Sequence, residues 1–245
     1  MITHTQVIVL RTVDYQESSK IITVLSKEHG KIALIARGAK KPKNKLRGAL
    51  EIGNILDVVY YHKPSRSVQN LTEASIHFSS QEFRIDLEKA SILYTTLELV
   101  AQLIHENEMN ESFYKFLITL IPWLAGNEAI KASILCYIQV RCAELCGFLL
   151  NDENTNLEMP VYFNIAEGSI SNAIDSELSY KLTVLQARFL KQSIQTKQKN
   201  IFNIELTGQE LKQLIRHLDV YFMYHIEGFK ERKSDVVFEQ LLKDS

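Results

Sequence analysis

The chain has 245 residues, 46% of them hydrophobic and 23% charged, with a formal net charge of −1. That composition excludes a disordered or fibrous protein and suits one large domain or two modest ones. No apolar run approaches the roughly 18–20 residues that cross a bilayer, and the segment Met1–Gln6 lacks the basic and apolar regions of a secretory signal, so a cytosolic protein is expected. The near-neutral total conceals an asymmetry. Residues 1–80 hold twelve Lys and Arg against six Asp and Glu, whereas the remaining 165 hold sixteen against twenty-three. A basic first third points toward nucleic acid or another anionic surface.

From Thr5 to about Ile76 the pattern is that of short strands. Val7-Ile8-Val9-Leu10 and Ile21-Ile22-Thr23-Val24-Leu25 flank a polar loop around Asp14-Tyr15-Gln16-Glu17. Glu28-His29-Gly30-Lys31 breaks the chain before Ile32-Ala33-Leu34-Ile35-Ala36, and two further runs follow, Ile52 to Tyr61 and Val68 to Ala74. Five short strands in about 75 residues predict a small barrel, because closure hides the unpaired edges that a small open sheet would expose. After Ile76 the apolar period changes from two to 3.6. Helices are expected through Ile85–Leu103, through Phe113–Leu124 with a stop near Gly126, and from about Glu128 to Leu149. Between Leu150 and about Ser176 the period fails, which predicts an insertion with one hairpin. Thr207-Gly208-Gln209-Glu210 is a capping box opening a helix whose apolar face is Leu211, Leu214, Ile215, Leu218 and Phe222. Ser234-Asp235 can start a last short helix carrying Val237, Leu241 and Leu242. The fold class expected is α+β: a barrel over residues 1–78, then an α-helical domain over 79–245 with a short irregular insertion at about 150–175.

The densest chemical feature is Arg37-Gly38-Ala39-Lys40-Lys41-Pro42-Lys43-Asn44-Lys45-Leu46-Arg47, with six positive charges in eleven residues and no acid. Gly and Pro forbid a regular helix there, so the stretch reads as a flexible set of cations for a phosphate backbone, which releases a counterion for each phosphate neutralised. Lys63 and Arg66 add charge at another turn. Tyr15, Tyr60, Tyr61 and His62 are candidates for base stacking, worth about 1–3 kcal/mol per base, although at most one of Tyr60 and Tyr61 can point outward. A second basic group, Lys230, Arg232 and Lys233, fits either a DNA contact or the end of a helix dipole. Phosphate-binding loops, dinucleotide fingerprints, nucleophile elbows and zinc-protease motifs are missing, so no enzyme is expected and no catalytic residue is named. Cys136, Cys142 and Cys146 are an odd set in one helical stretch and read as reduced, buried thiols.

Several stretches together resemble the bacterial recombination mediator family RecO. They are Val7-Ile8-Val9-Leu10-Arg11 with Asp14-Tyr15 and Glu17-Ser18-Ser19-Lys20-Ile21-Ile22; Ser26-Lys27-Glu28-His29-Gly30-Lys31 leading into Ala36-Arg37-Gly38-Ala39-Lys40; and Gly48-Ala49-Leu50 with the strand to Tyr61. Near the end, Tyr224-His225-Ile226-Glu227-Gly228 with Lys233-Ser234 resembles the family's closing helices. The resemblance implies an OB-fold barrel followed by a helical domain. It implies binding of single- and double-stranded DNA, annealing of complementary strands, and contact with RecR and with single-stranded-DNA-binding protein while RecA is loaded. Many members carry a four-cysteine zinc module in the helical domain. The corresponding stretch here, about Leu150 to Ala173, has neither Cys nor His, so a zinc-free protein is expected, its insertion held by Val161, Tyr162, Phe163 and Ile165. The DNA track expected from the charges of the loop and the turn is Arg37, Lys40, Lys41, Lys43, Lys45 and Arg47, extended by Lys63, Arg66 and Tyr15. An RNA-binding OB protein and a protein-binding adaptor remain as alternatives, with a nuclease behind both.

Overall fold

The structure, a computed structural model, describes residues 1–44, 46, 48–128, 130–175, 177–195 and 203–241, with backbone alone at 236, 239 and 241. The chain divides into two compact units, Met1–Glu128 and Ala129–Ser245.

Five strands open the first unit: β1 (Ile2–Tyr15), β2 (Ser19–Ser26), β3 (Gly30–Ala36), β4 (Ile55–Tyr61) and β5 (Val68–Phe78). They close into a barrel in the order β1-β2-β3-β5-β4. Closure depends on β1, which at 14 residues extends well beyond the expected run Val7–Leu10 and pairs with two neighbours. Its first half runs from Ile2↔Tyr61 to Ile8↔Ile55 against β4, and its second half from Val7↔Ser26 to Tyr15↔Ser19 against β2. A register shift between Val9 and Arg11 bends the strand where it changes partners, as an extra residue does in a β-bulge. The parallel pairing Ala33↔Val68 through Ile35↔Asn70 shuts the last seam between β3 and β5.

Alternation decides what fills this barrel. Val7, Val9, Ile22, Val24, Ile32, Leu34, Leu56, Val58, Tyr60 and Leu71 form its core, and Ala39, Leu46, Ala49 and Leu50 join them from the loop between β3 and β4. Ile8 and Leu10 are buried on the opposite face of β1. The helices α1 (Leu87–Leu103) and α2 (Glu111–Gly126) cover that side, capped by the side chains of Asp86 and Asn110. Tyr114 donates to Gln6 Oε1 at 2.9 Å, and Lys31 Nζ to the Ala101 carbonyl at 2.7 Å. Gly30 permits this docking: it has φ +63°, and a Cβ there would lie 1.8 Å from the Glu108 carbonyl oxygen. Thus α1 and α2 cluster with the barrel and not with the later helices.

The second unit holds α3 (Ile134–Leu145), four short strands β6 (Asn151–Asp152), β7 (Val161–Asn164), β8 (Ser169–Ser171) and β9 (Ser179–Leu182), then α4 (Val184–Gln195), α5 (Gly208–His225) and α6 (Asp235–Leu241). The expected hairpin is β7–β8, and β6 and β9 extend it to a four-stranded sheet in the order β6-β8-β7-β9. Helix α3 begins and ends inside the expected range, between turns at Lys131–Ser133 and Gly147. No apolar period announced α4, because Gln186 and Ser193 occupy its buried face beside Ala187, Phe189 and Leu190. Gln186 is satisfied there, accepting from the Thr183 N–H at 2.9 Å and donating to the Glu210 carbonyl at 2.7 Å. The capping box at Thr207 and Glu210 is formed, and all five expected apolar residues of α5 are buried. Among the described side chains of α6, Phe238 is buried and Val237 exposed; the Leu241 side chain and Leu242 lie outside the described residues. No described helix is long and apolar enough to cross a membrane.

Candidate nucleic-acid interface

The basic loop is better ordered than its composition suggests. Ala39, Leu46, Ala49 and Leu50 are buried in the end of the barrel, which leaves Lys41 and Lys43 exposed between them. Gly38, at φ +68°, opens a tight turn in which the Asn44 amide donates to the Gly38 carbonyl at 2.9 Å and its oxygen accepts from the Leu46 N–H at 2.8 Å. The Lys40 N–H donates to the Ser18 carbonyl at 2.9 Å, tying the loop to the β1–β2 turn. On its return the loop is held by the buried Asn54, which donates to the Ala49 carbonyl and accepts from the N–H of Ser80, both at 2.7 Å. The described part of the loop is thus a folded cap that presents Lys41 and Lys43. Lys45 and Arg47 lie outside the described residues.

Lys40 does not stand alone. Its ammonium is 3.0 Å from the carboxylate of Asp14, and the hydrogen bond from Lys40 holds the Asp14 carboxyl below the usual carboxylate range. Asp14 is a built-in competitor for whatever anion the loop meets. An exposed pair of this kind contributes little, so a phosphate can exchange for the carboxylate easily.

The turn between β4 and β5 is pinned by one residue. Gln69, 2% exposed, accepts from the Lys63 N–H at 2.8 Å and donates to the carbonyls of Lys63 at 3.0 Å and Arg66 at 2.7 Å. The backbone carrying the exposed Lys63 and Arg66 is thereby fixed. Arg66, Arg37 and Tyr15, from three separate stretches of sequence, line one open groove of about 540 Å³ together with Ile21, Ile35, Val68 and Asn70. Among the described residues no carboxylate lines it. The exposed Arg11, paired across to Thr23, also faces outward on β1.

Of the other aromatic candidates, Tyr61 is exposed on β4, but Tyr60 is fully buried and belongs to the barrel core. Its hydroxyl, pushed up to about 12 by burial, lies 2.9 Å from His29 Nδ1, and the His29 ring stacks on His62 with centroids 4.1 Å apart. Neither Tyr60 nor His62 is a free stacking surface. Of the C-terminal basic group, Lys230 and Lys233 are exposed, whereas Arg232 differs from its expectation. Arg232 is buried, donating to Asp219 and Asp235 at 2.8 Å each, so it serves neither DNA nor a helix dipole. Gln69, Asn70, Ile21 and Ile35 went unnoticed as site residues, because single polar or apolar residues on a strand carry no local signal. Strand alternation places Ile21, Ile35 and Asn70 outward once the register is known.

Residues 1–79 match the family model described as Recombination protein O N terminal, and residues 84–235 match Recombination protein O C terminal. The chain belongs to the RecO family. It is 28% identical to the DNA repair protein RecO of Chloroherpeton thalassium over 261 residues, which cover 99% of this chain and 100% of that protein. It is 29% identical to DNA repair protein RecO of Flavobacterium psychrophilum over 241 residues, 97% of this chain and 98% of the relative. With the Salinibacter ruber protein of the same name, identity is 31% over 157 residues, 64% of this chain and 60% of the relative. The family places the protein in recombination and DNA repair. The five-stranded closed barrel followed by helices agrees with the RecO family's two parts.

The resemblance implies a zinc module at about Leu150 to Ala173. The stretch that would carry it offers neither thiolate nor imidazole, and among the described residues no three His, Cys, Asp or Glu groups gather into a metal site. Instead the fully buried Asn164 donates to Ser171 Oγ, the Ala173 carbonyl and Asp175 Oδ2 at 3.0, 3.2 and 2.7 Å, and accepts from Ser179 Oγ at 2.6 Å. Val161, Phe163 and Ile165 are buried beside it, and Tyr162 partly so. The cysteines lie elsewhere, on and just after α3, and burial pushes all three thiols upward.

Proposed function

We propose that this protein is a non-enzymatic recombination mediator of the bacterial cytoplasm. It binds single- and double-stranded DNA, anneals complementary strands, and with RecR helps RecA load on strands coated by single-stranded-DNA-binding protein. The observation that supports this reading is the convergence of Tyr15, Arg37 and Arg66 on one groove beside the cap that carries Lys40, Lys41 and Lys43. Lys63 extends the track, and Lys45 and Arg47 belong to the same run of sequence. Contacts through phosphates leave base edges free to pair, which annealing requires. The partner contacts rest on family membership.

A salt series with a labelled single strand tests the DNA track. The Lys40/Lys41/Lys43→Ala variant is expected to bind about 30-fold more weakly at 0.15 M salt, with a slope shallower by about 2, at roughly 0.7 per lost phosphate contact. Asp14→Asn is expected to do the opposite, binding a few-fold tighter, because Lys40 loses its internal counterion. Unchanged binding by both variants would remove the loop from the site. Absence of nucleic-acid binding by the wild type at moderate salt would favour an adaptor that contacts only proteins.

We further propose that the protein is zinc-free, the Asn164 network and its apolar neighbours holding the sheet of the second unit. Stoichiometric zinc in chelator-washed protein would contradict this.

A further inference from the structure

Strand β5 runs on past the seam that closes the barrel. Its first residues, Val68 to Asn70, pair with β3, but from Leu71 to Phe78 it pairs with β4 alone. Among the described residues no strand pairs with the other edge of that stretch. Thr72, Glu73, Ser75, Ile76 and His77 are exposed there. Such an edge presents unpaired N–H and C=O groups, which proteins commonly protect with lysine or proline. The run Leu71-Thr72-Glu73-Ala74-Ser75-Ile76-His77-Phe78 has neither. Register gives its two faces different chemistry. Glu73 and Ser75 stand opposite Val59 and the exposed Asp57, so they face outward, and His77 joins them with its Nδ1 3.4 Å from Asp57. Ala74 and Ile76 stand opposite the core residues Val58 and Leu56, yet Ile76 is 46% exposed.

We infer that this edge pairs with the same edge of a second copy of the chain, antiparallel and two-fold symmetric, with Ser75 of one copy opposite Ser75 of the other. In that register Glu73 of each copy meets His77 of the other on the outer face. On the core side, Ala74 of each copy meets Ile76 of the other. Directly opposite residues of an antiparallel pair share a face, so the alternatives are centres on neighbouring residues. A centre on Ala74 sets Glu73 against Ser75 and Ile76 against Thr72. A centre on Ile76 sets Glu73 against Ser79. Only the Ser75 centre gives the acid a cationic partner and the exposed isoleucine an apolar one. Opposite charges facing each other across strands stabilise a sheet, like charges destabilise it, and two-fold symmetry uses every contact twice. Few residues take part, so the area falls well below the roughly 1,200 Å² of a standard interface and the association is weak.

The test is sedimentation equilibrium of the full-length protein without DNA, from about 5 to about 300 μM, a range that spans a Kd on the order of 100 μM. Monomer is expected at the low end and dimer at the high end. Glu73→Lys and His77→Glu are each expected to weaken the dimer about tenfold, because either change makes the cross-strand pair repulsive at two symmetric places. Mixing the two variants in equal amounts is expected to restore association to near the wild-type value, since each altered charge then meets an opposite one. Recovery on mixing also shows that neither variant has lost its fold. A monomer at every concentration would overturn the inference and leave the edge to an extended segment of a different protein. A dimer that neither variant weakens, or that mixing fails to restore, would place the contact elsewhere on the chain and overturn it as well.

Discussion

Replacing Asp219 by Ala is expected to cost the second unit about 3 kcal/mol or more, at the lower end of what breaking a buried ion pair costs. The Arg232 side chain is 1% exposed and holds Asp219 and Asp235 at 2.8 Å each, while Gln139 donates to the other Asp219 oxygen at 2.7 Å. This network joins α3, α5 and the start of α6. Removing the α5 carboxylate leaves a guanidinium in a site with little water and one remaining counter-charge, and leaves the Gln139 amide without that acceptor. Thermal unfolding followed by circular dichroism should show a midpoint lower by about 10 °C for a unit of this size. The double replacement Asp219→Leu with Arg232→Met should recover much of the loss, because it removes both charges together. A single variant within about 2 °C of wild type would show that the network does not hold the unit together.

The second large effect concerns binding. Reversing charge at Arg37 and Arg66 together is expected to weaken single-strand binding by about 30-fold or more at 0.15 M salt. The salt slope should become shallower by about 1.4, since two phosphate contacts are lost and two repulsions gained. The effect should exceed that of reversing any two exposed charges off the groove, such as Lys115 on α2, which pairs with Glu111. Thermal midpoints should barely move, because Arg37 and Arg66 are both exposed. Binding within threefold of wild type would place the phosphate contacts on the cap alone.

These two predictions rest on residues of unequal legibility. Arg37 and Arg66 stand out in the chain by charge, one in a dense basic run and one at a turn. Arg232 stands out in the same way, between Lys230 and Lys233, yet it is buried in a carboxylate cage. A basic triplet at the end of a chain carries no information about where Asp219, thirteen residues earlier on α5, will point. Burial of a charge depends on a partner far enough along the chain that no local pattern records it.

What could be read locally was whatever repeats at the period of a secondary structure. Strand alternation and the turns around Gly30 and Lys63 announced five strands, and the preference of small sheets for closed edges announced a barrel. The capping box at Thr207 and the face of α5 followed from the 3.6 period. The same period failed for α4, whose buried face includes the polar Gln186 and Ser193; Gln186 is satisfied by partners that only the packed unit supplies. The sheet around Asn164 escaped for a similar reason: strands of two to four residues are too short to show alternation, and a hub of hydrogen bonds has no periodic signature. The groove belongs to this second class. Register across β1, β2, β3, β5 and β4 sets Val13, Ile21, Ile35, Asn70 and Tyr61 side by side, and register is a property of strand pairing that emerges only when the barrel closes. Charge density thus marked the cap from the residues alone, whereas the groove beside it exists only because distant stretches share one closed sheet.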